Sequence, residues 1–132
     1  MSTLDLGIIG NCAIAALINK KADIVWCCLP RLDKDPVFHS LIGAPKDAPD
    51  AGVFAVEIED FVSSEQSYVP NTALLRTVLH GESGSVEIID FVPRFYWRDR
   101  TFRPQMIVRR VRPLSGAPRI RLATKRELHY CT

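Results

Sequence analysis

The fold class is indicated most clearly by one stretch of the sequence, Phe54-Ala55-Val56-Glu57-Ile58-Glu59. Its large apolar side chains recur at every second position, and two of the intervening side chains are carboxylates. Because successive side chains of a β-strand point to opposite faces, this period predicts a strand with one buried and one solvated face. Residues 85–88 and 119–122 alternate in the same way, so the clearest predicted elements are all strands.

The other apolar runs are short and are separated by residues that favour turns. Two expected hairpins have glycine, asparagine or charged residues at their centres, which suits a reversal of the chain. These hairpins join residues 7–16 to 24–29 and residues 72–79 to 86–91. The sequence therefore predicts an all-β protein, an antiparallel sandwich or part of one.

Three segments depart from this pattern. The adjacent residues Arg109 and Arg110 interrupt the alternation of residues 106–112, as a β-bulge would. Residues 36–42 are the one stretch that suits a short helix. Residues 44–51, with two prolines and three charged side chains, are expected to form a surface loop.

Length and composition describe a globular chain of one domain. Its 132 residues and 47% apolar content allow a real hydrophobic core. The sequence starts without the basic and apolar segments of a secretory signal, and no apolar run approaches the ~20 residues of a membrane span. The four cysteines lack the spacing of a disulfide framework: Cys12, Cys27, Cys28 and Cys131. We therefore expect a cytoplasmic protein with reduced thiols and no membrane contact.

The charges are distributed unevenly along the chain. Residues 1–93 carry six Lys or Arg against thirteen Asp or Glu, whereas residues 94–132 carry eleven against two. Acidic and basic strands that face each other would explain this, since opposite charges paired across strands contribute about 0.2–1 kcal/mol. A stripe that binds polyanions is the alternative.

The carboxylates do not form a convincing catalytic pair. Glycoside cleavage needs one protonated and one ionised carboxylate on either side of the scissile bond. The side chains considered are Glu57, Glu59, Asp60 and Asp90. The two glutamates are expected on a solvated strand face, and Asp90 is expected to cap a turn.

Other catalytic and ligand-binding patterns are also missing. The histidines are His39, His80 and His129, and none has a nucleophile elbow nearby. The spacing of metal ligands and the glycine loop of a phosphate site are not found. We therefore predict no catalytic residue, no metal site and no cofactor in this chain.

One segment combines arginines with aromatic rings. Residues 91–104, FVPRFYWRDRTFRP, contain four arginines and five aromatic side chains. Such groups bind nucleic acids or sugars through guanidinium contacts and ring stacking. We favour instead a long loop whose rings are buried against a neighbouring domain and whose arginines pair with that domain's carboxylates. Since no nucleic-acid-binding motif accompanies the charge, no nucleic-acid partner is expected.

A more specific pattern lies in residues 24–38, IVWCCLPRLDKDPVF. This segment resembles the DWLCLPRFDSPSVF-type signature of glycoside hydrolase family 15, the bacterial glucoamylase- and trehalase-like enzymes. Further segments resemble that family's GNCxxAALI, VFxxLLG, Y…NTxVL, DFxPR and xxRRV motifs in the same order. They are residues 10–18, 38–43, 68–75, 90–94 and 108–111. The resemblance covers the chain as far as about residue 121.

The resemblance implies the N-terminal β-sandwich domain of such an enzyme. In that family the catalytic acid and base are glutamates of a later helical barrel, and no segment here matches the barrel. Residues 1–132 are therefore expected to form an incomplete, non-catalytic sandwich. Its expected partner is the helical-barrel catalytic domain of the same enzyme, through which alone an α-glucoside is bound. Unpaired strand edges also predict self-association.

Arg31 and Asp33 form the one candidate site. They lie in a proline-bounded turn directly after a predicted buried strand. This position would bring them near the barrel, either at its pocket or at the interface, and an ion pair that only braces its own turn is the alternative. Leu32 stands where the family pattern has Phe, and Lys34-Asp35 stands for a small polar pair, which weakens the case for a direct sugar contact.

Two functions follow from these observations. The first is a structural domain of a glycoside hydrolase that cleaves α-glucosidic bonds. The second is a stand-alone β module that binds glycans or polyanions through the aromatic–arginine segment. The sequence does not distinguish trehalose from starch-type oligosaccharides as the substrate.

Overall fold

The protein is described here by a computed structural model that covers residues 4–42 and 52–125. The described residues form twelve β-strands and a single 3-10 turn at Ser40–Ile42. The strands are β1 (Gly7–Gly10), β2 (Ala15–Ile18), β3 (Ile24–Cys28), β4 (Pro36–Phe38), β5 (Val53–Ile58), β6 (Phe61–Tyr68), β7 (Leu75–Gly81), β8 (Gly84–Phe91), β9 (Phe95–Trp97), β10 (Arg100–Phe102), β11 (Val108–Gly116) and β12 (Ile120–Lys125). The predicted all-β class is confirmed, whereas the expected loop at residues 44–51 lies outside the described residues.

The strands form two main antiparallel sheets and one separate hairpin. The first sheet has the order β1-β2-β3-β5-β12, with β4 also paired to β3. The second has the order β11-β8-β7-β6, and β9 pairs with β10 alone. Both predicted hairpins are present as β2–β3 and β7–β8. The apolar run at residues 7–16 is not one strand but two, because the chain turns between β1 and β2.

The hydrophobic core lies between the two main sheets. One cluster joins side chains of β1, β2 and β3 to Leu75 of β7 and to Val92. A second cluster joins Val56 and Ile58 of β5 to inward-facing side chains of β7 and β8. The alternation that predicted strands therefore marks the buried faces of β5 and β8 correctly.

Two sequence predictions in the second sheet are wrong. Arg109 does not belong to a bulge, because β11 pairs in register with β8 around it and the register shift lies between Pro113 and Ser115. Asp90 does not cap a turn, because it lies within β8 directly opposite Arg109. Both side chains point into the core, where they form an ion pair with Nε of Arg109 2.7 Å from Oδ1 of Asp90.

Pairing between strands explains part of the uneven charge distribution. Arg121 of β12 lies opposite Glu57 of β5, with Nε 2.8 Å from Oε2. Arg112 of β11 lies opposite Glu87 of β8, with Nη2 2.9 Å from Oε1. The prediction that basic C-terminal strands face acidic strands is therefore confirmed.

The apolar face of β12 is less covered than its alternation suggests. Leu122 lies opposite Val56, yet its side chain is 60% exposed while Val56 is 2% exposed. Ile120 is 40% exposed. β12 is the edge strand of the first sheet. The side chains that cover Val56 therefore do not extend as far as Ile120 and Leu122.

Candidate functional site

Three chain segments meet in an open concavity at one end of the molecule. The concavity has a volume of about 770 Å³ and is formed by the β1–β2 turn, the β3–β4 connection and the segment that runs from β10 towards β11. Its lining residues are Cys12, Ala13, Pro30, Arg31, Leu32, Asp33, Thr101, Arg103 and Gln105. The candidate residues from the sequence therefore line a surface shared with the aromatic–arginine segment.

Arg31 and Asp33 form an ion pair with each other on this surface. Nη2 of Arg31 lies 2.8 Å from Oδ2 of Asp33, and both side chains are more than half exposed. An exposed pair of this kind contributes at most about 1 kcal/mol to stability. The structure thus shows the ion pair that braces the turn. A role of Arg31 and Asp33 beside a catalytic pocket stays a prediction.

Asn11 fastens the aromatic–arginine segment to the β1–β2 turn. Its Nδ2 donates hydrogen bonds to the carbonyl oxygens of Pro93 and Pro104, each at 2.9 Å. Its Oδ1 accepts hydrogen bonds from the backbone N–H groups of Ala13 and Ile14. An amide has two donor hydrogens and two acceptor lone pairs, so this buried side chain is fully satisfied. It fixes both ends of the segment that contains β9 and β10.

The segment between Pro93 and Pro104 is a β-hairpin and not the long loop expected from the sequence. Phe95 pairs with Phe102 across the hairpin, and their rings stack with centroids 5.4 Å apart. The two turn residues, Arg98 and Asp99, have positive φ angles of 49° and 59°. Two consecutive left-handed residues are typical of the tight turn whose twist suits a hairpin, although Asn-Gly is the usual sequence.

A second charged cluster lies on the outer face of the second sheet. Arg76, Arg110 and Arg112 converge on Glu87, with nitrogen–oxygen distances of 2.6, 3.5 and 2.9 Å respectively. The hydrogen bond from Arg76, together with the charge of Arg112, holds the pKa of Glu87 below its ordinary value although burial opposes this. A carboxylate held ionised in this way is unsuited to act as a general acid near neutral pH.

A further cavity of about 720 Å³ lies beside β5 and β12 and is lined by both Asp23 and Glu57. Burial raises the pKa of Asp23, and the hydrogen bond from Asn19 offsets part of this rise. Asn19 Oδ1 also accepts hydrogen bonds from the backbone N–H groups of Lys21 and Asp23. Asp23 is therefore part of the network that closes the β2–β3 turn, and Glu57 is held by Arg121.

The thiols and the candidate metal ligands do not form a reactive site in the described part of the chain. Cys12, Cys27 and Cys28 are free thiols. Burial raises the pKa of Cys27 to about 11, which keeps it protonated and unreactive. In residues 4–42 and 52–125, no three His, Cys, Asp or Glu side chains are grouped as metal ligands would be. The same residues contain no helix with the length and apolar character needed to cross a membrane.

Sequence reasoning missed the roles of Asn11 and Glu87. Asn11 belongs to the GNCxxAALI-like segment, and its position between two β-strands gives no sign of a contact with residues 93 and 104. Glu87 alternates with Val86 and Ile88 and was therefore expected on a solvated face, but three arginines cover it. In both cases the partners are distant in sequence, so local alternation carries no information about them.

Comparison with known proteins gives this arrangement a family. The model of the trehalase-like N-terminal domain matches residues 4–128. The chain belongs to the trehalase-like N-terminal family. The trehalase of Mycolicibacterium smegmatis (strain ATCC 700084 / mc(2)155) is 23% identical to this trehalase-like domain over 139 residues. That alignment covers 96% of the chain and 20% of the relative, so the trehalase-like domain spans about a fifth of the relative's length. No solved structure matches it significantly.

These comparisons confirm the coarser part of the resemblance. The trehalase-like N-terminal family associates the chain with glycoside hydrolases, as its motifs suggested. The motif segments also have defined places in the fold: residues 10–18 include the β1–β2 turn that holds Asn11, and residues 24–38 include β3 and the Arg31–Asp33 turn. Two of the motif segments therefore contribute residues to the lining of the concavity.

Proposed function

We propose that this chain is the non-catalytic N-terminal domain of a family-15-type glycoside hydrolase, a glucoamylase- or trehalase-like enzyme that cleaves α-glucosidic bonds with inversion. The acid and the base of the reaction would be carboxylates of a helical-barrel domain in the same polypeptide. In an inverting reaction the acid protonates the leaving oxygen while the base activates water on the opposite face of the sugar. This domain would support the barrel and would not contact the scissile bond.

The observation that carries the proposal is the structural use of the carboxylates. Glu57, Glu87 and Asp90 each pair with arginine, and Asp23 belongs to a turn network. Asp90 is fully buried in the core, so a substrate does not reach it. None of these four groups combines an accessible position, a raised pKa and a second free carboxylate across a sugar-sized gap, which glycoside cleavage requires.

Arg31 and Asp33 have a limited role in this proposal. Their exposed turn lines the concavity at the end of the molecule, and we propose that this end faces the barrel. There the turn would border the substrate pocket or the interface between the domains. At the pocket, Arg31 would donate a hydrogen bond to a sugar hydroxyl and would take no part in a step of the reaction.

The proposal is tested by comparing two purified proteins. The 132-residue chain and the complete polypeptide that carries it are incubated with trehalose and with maltotetraose, and glucose release is measured. We expect release only by the complete polypeptide, with β-glucose as the first product from maltotetraose and equal amounts of α- and β-glucose from trehalose in proton NMR spectra. Hydrolysis by the chain alone, or α-glucose without the β anomer as the first product, would contradict the proposal.

A glycan- or polyanion-binding module is the second candidate, because Arg94, Arg98, Arg100 and Arg103 lie beside exposed rings and have no carboxylate partner among the residues that the structure describes. Binding of the 132-residue chain to heparin, with an affinity that falls steeply as salt increases, would support it.

We also propose a cytoplasmic location, which agrees with the free thiols at Cys12, Cys27 and Cys28. Fractionation of cells that express the complete polypeptide tests that location.

A further inference from the structure

The β9–β10 hairpin presents three aromatic rings on one face. Cross-strand pairing places Phe95 opposite Phe102 and Trp97 opposite Arg100, so these four side chains share a face. The three rings are between 42% and 56% exposed. Large aromatic side chains grouped in this way are typical of the centre of a protein interface.

The hairpin receives little support from the rest of the described structure. In residues 4–42 and 52–125, β9 and β10 pair only with each other, and Asn11 holds the two ends of the segment. A single two-stranded hairpin is at best marginally stable in water. Its turn residues Arg98 and Asp99 adopt left-handed backbone angles without glycine, which adds strain. A surface that packs against the rings would stabilise it.

The arginines around the hairpin differ from the others in the described chain. Seven arginines elsewhere pair with carboxylates: Arg31, Arg76, Arg109, Arg110, Arg112, Arg119 and Arg121. Within the described ranges, four have no carboxylate partner, and all four lie in one segment: Arg94, Arg98, Arg100 and Arg103. Asp99 is the one acidic residue among them. The segment therefore combines a net positive charge with exposed rings.

We propose that the β9–β10 hairpin docks onto a protein surface that has an apolar centre and a rim of carboxylates. The three rings fit the apolar centre, and the four guanidinium groups fit the carboxylates, which arginine binds in a bidentate manner. The partner surface belongs to the remainder of the polypeptide that carries this domain. In this respect the inference rests on the proposed function, because it gives the chemistry of the surface that the domain meets.

The ring geometry favours a protein over a glycan. A sugar stacks on an open aromatic face, but Phe95 and Phe102 are nearly parallel, with an interplanar angle of 13°, and stack on each other. Arg98 lies over the ring of Trp97, 5.7 Å from its centroid. The rings therefore offer edges and partly covered faces, which pack well into an apolar pocket and poorly against a sugar ring.

The charge argues against a second copy of the chain as the partner. Two hairpins that meet face to face would bring eight guanidinium groups together, with one aspartate from each chain to offset them. Like charges placed opposite each other oppose association. A surface with carboxylates has no such penalty.

Hydrogen–deuterium exchange of the complete polypeptide tests the proposal. We expect the backbone amides of residues 95–102 to exchange about tenfold or more slowly in the wild type than in an Arg98→Glu/Arg100→Glu variant. The Arg98→Lys/Arg100→Lys variant, which keeps the charge, should retain most of the protection. Trp97→Ala should speed exchange in the rest of the hairpin, because it removes one ring from the apolar centre. Arg119→Glu is the matched control. Arg119 lies outside the hairpin and is highly exposed, and its ion pair with Glu59 is weak because the nitrogen–oxygen distance is as long as 3.9 Å.

Each other outcome has a defined meaning. Equal exchange rates in the wild type, the Arg98→Glu/Arg100→Glu variant and the Trp97→Ala variant would overturn the proposal. Protection that increases with protein concentration would identify a second copy as the occupant, and protection that needs added maltoheptaose would identify a glycan, so either result would overturn it. If the hairpin is protected while the complete polypeptide hydrolyses no α-glucoside, the docking surface stands and the proposed function fails. If the complete polypeptide hydrolyses an α-glucoside but the hairpin is not protected, the proposed function stands and the docking surface fails.

Discussion

Arg109 and Asp90 lie opposite each other on neighbouring strands and form a buried ion pair, with side chains 5% and 0% exposed. The same guanidinium donates hydrogen bonds to the carbonyl oxygens of Phe54 in β5 and of Ala22 in the β2–β3 turn of the other layer. It also lies over the ring of Phe54, 4.7 Å from the centroid. One side chain therefore satisfies a buried carboxylate and joins the two layers of the sandwich.

Replacement of Arg109 should be strongly destabilising. Arg109→Met leaves Asp90 buried without its counter-charge, and removal of one partner of a buried pair typically costs about 3–5 kcal/mol. Urea unfolding of the purified chain, followed by circular dichroism, measures the loss. Because burial already raises the pKa of Asp90, the loss should become smaller as the pH falls and the carboxyl group is protonated.

Arg121→Met provides the control for that experiment. Arg121 pairs with Glu57 at a similar distance of 2.8 Å, but both side chains are at least half exposed. An exposed pair contributes about 0–1 kcal/mol, so this variant should remain close to the wild type. Equal losses in the two variants would mean that the buried position of Arg109 has no special weight.

The cluster around Glu87 should make stability depend on pH. The pKa of Glu87 lies below its ordinary value of 4.5, mainly through the hydrogen bond from Arg76. A carboxylate with a lowered folded-state pKa stabilises the fold above its unfolded-state pKa, and this contribution disappears as the pH falls through the folded-state value. Glu87→Gln should therefore be less stable than the wild type at pH 7, and the difference should shrink below about pH 4.5.

The measurement is the free energy of unfolding of both proteins between pH 3 and pH 7. Glu65→Gln is the control, because Glu65 is exposed and its contact with His80 is long, at 3.9 Å. It should show no comparable change with pH. A constant difference between Glu87→Gln and the wild type over the whole range would contradict the assigned ionisation.

Asn11→Asp should loosen the aromatic hairpin. The substitution keeps the shape of the side chain but replaces the donor Nδ2 with an oxygen that faces the carbonyl oxygens of Pro93 and Pro104. The loss of these buried hydrogen bonds should cost about 1–3 kcal/mol. Iodide quenching of Trp97, in a Trp26→Phe background, should increase, since the hairpin is no longer held at its base. Asn71→Asp, at an exposed position with a positive φ of 61°, should leave the quenching unchanged.

Arg31→Ala should affect activity more than stability. On the proposed function, we expect kcat/KM of the complete polypeptide for an α-glucoside to fall by about tenfold, because the turn would lose its proposed position beside the pocket. The melting temperature should stay nearly constant, since the Arg31–Asp33 pair is exposed. Asp33→Asn should show the same pattern to a smaller degree. Unchanged kinetics in both variants would mean that the pair only braces its own turn.

The sequence predicted those features that depend on neighbouring residues. The alternation in residues 54–59 identified β5, and the turn residues identified the β2–β3 and β7–β8 hairpins. Phe61–Tyr68 was not recognised as a strand because its side chains are mostly serine, glutamate and glutamine, which have little preference for strands. It forms β6 because it pairs with β7 at the edge of the second sheet.

Features that depend on distant residues were not predicted. A polar residue in an alternating strand reads as solvated, but Asp90 is buried because Arg109 reaches it from the adjacent strand. In the opposite sense, Leu122 reads as buried but is exposed at the edge of its sheet. The hairpin was read as a loop because its turn is Arg98-Asp99 and not a sequence rich in glycine or asparagine. The motif locates the candidate turn at Arg31 and Asp33 in the sequence. It does not identify the role of that turn.

The pairing of β5 with β12 affects how the chain folds during its synthesis on the ribosome. Ile58 lies opposite Ile120, so β5 emerges from the ribosome about sixty residues before the strand that completes its hydrogen bonds. At the translation rate of roughly 5–20 residues per second, β5 therefore waits for several seconds with an unpaired edge. β8 likewise waits for β11, although every buried residue of the two core clusters lies at or before Val92. Order of synthesis therefore lets the two layers pack while one edge of each sheet stays open until the arginine-rich strands arrive.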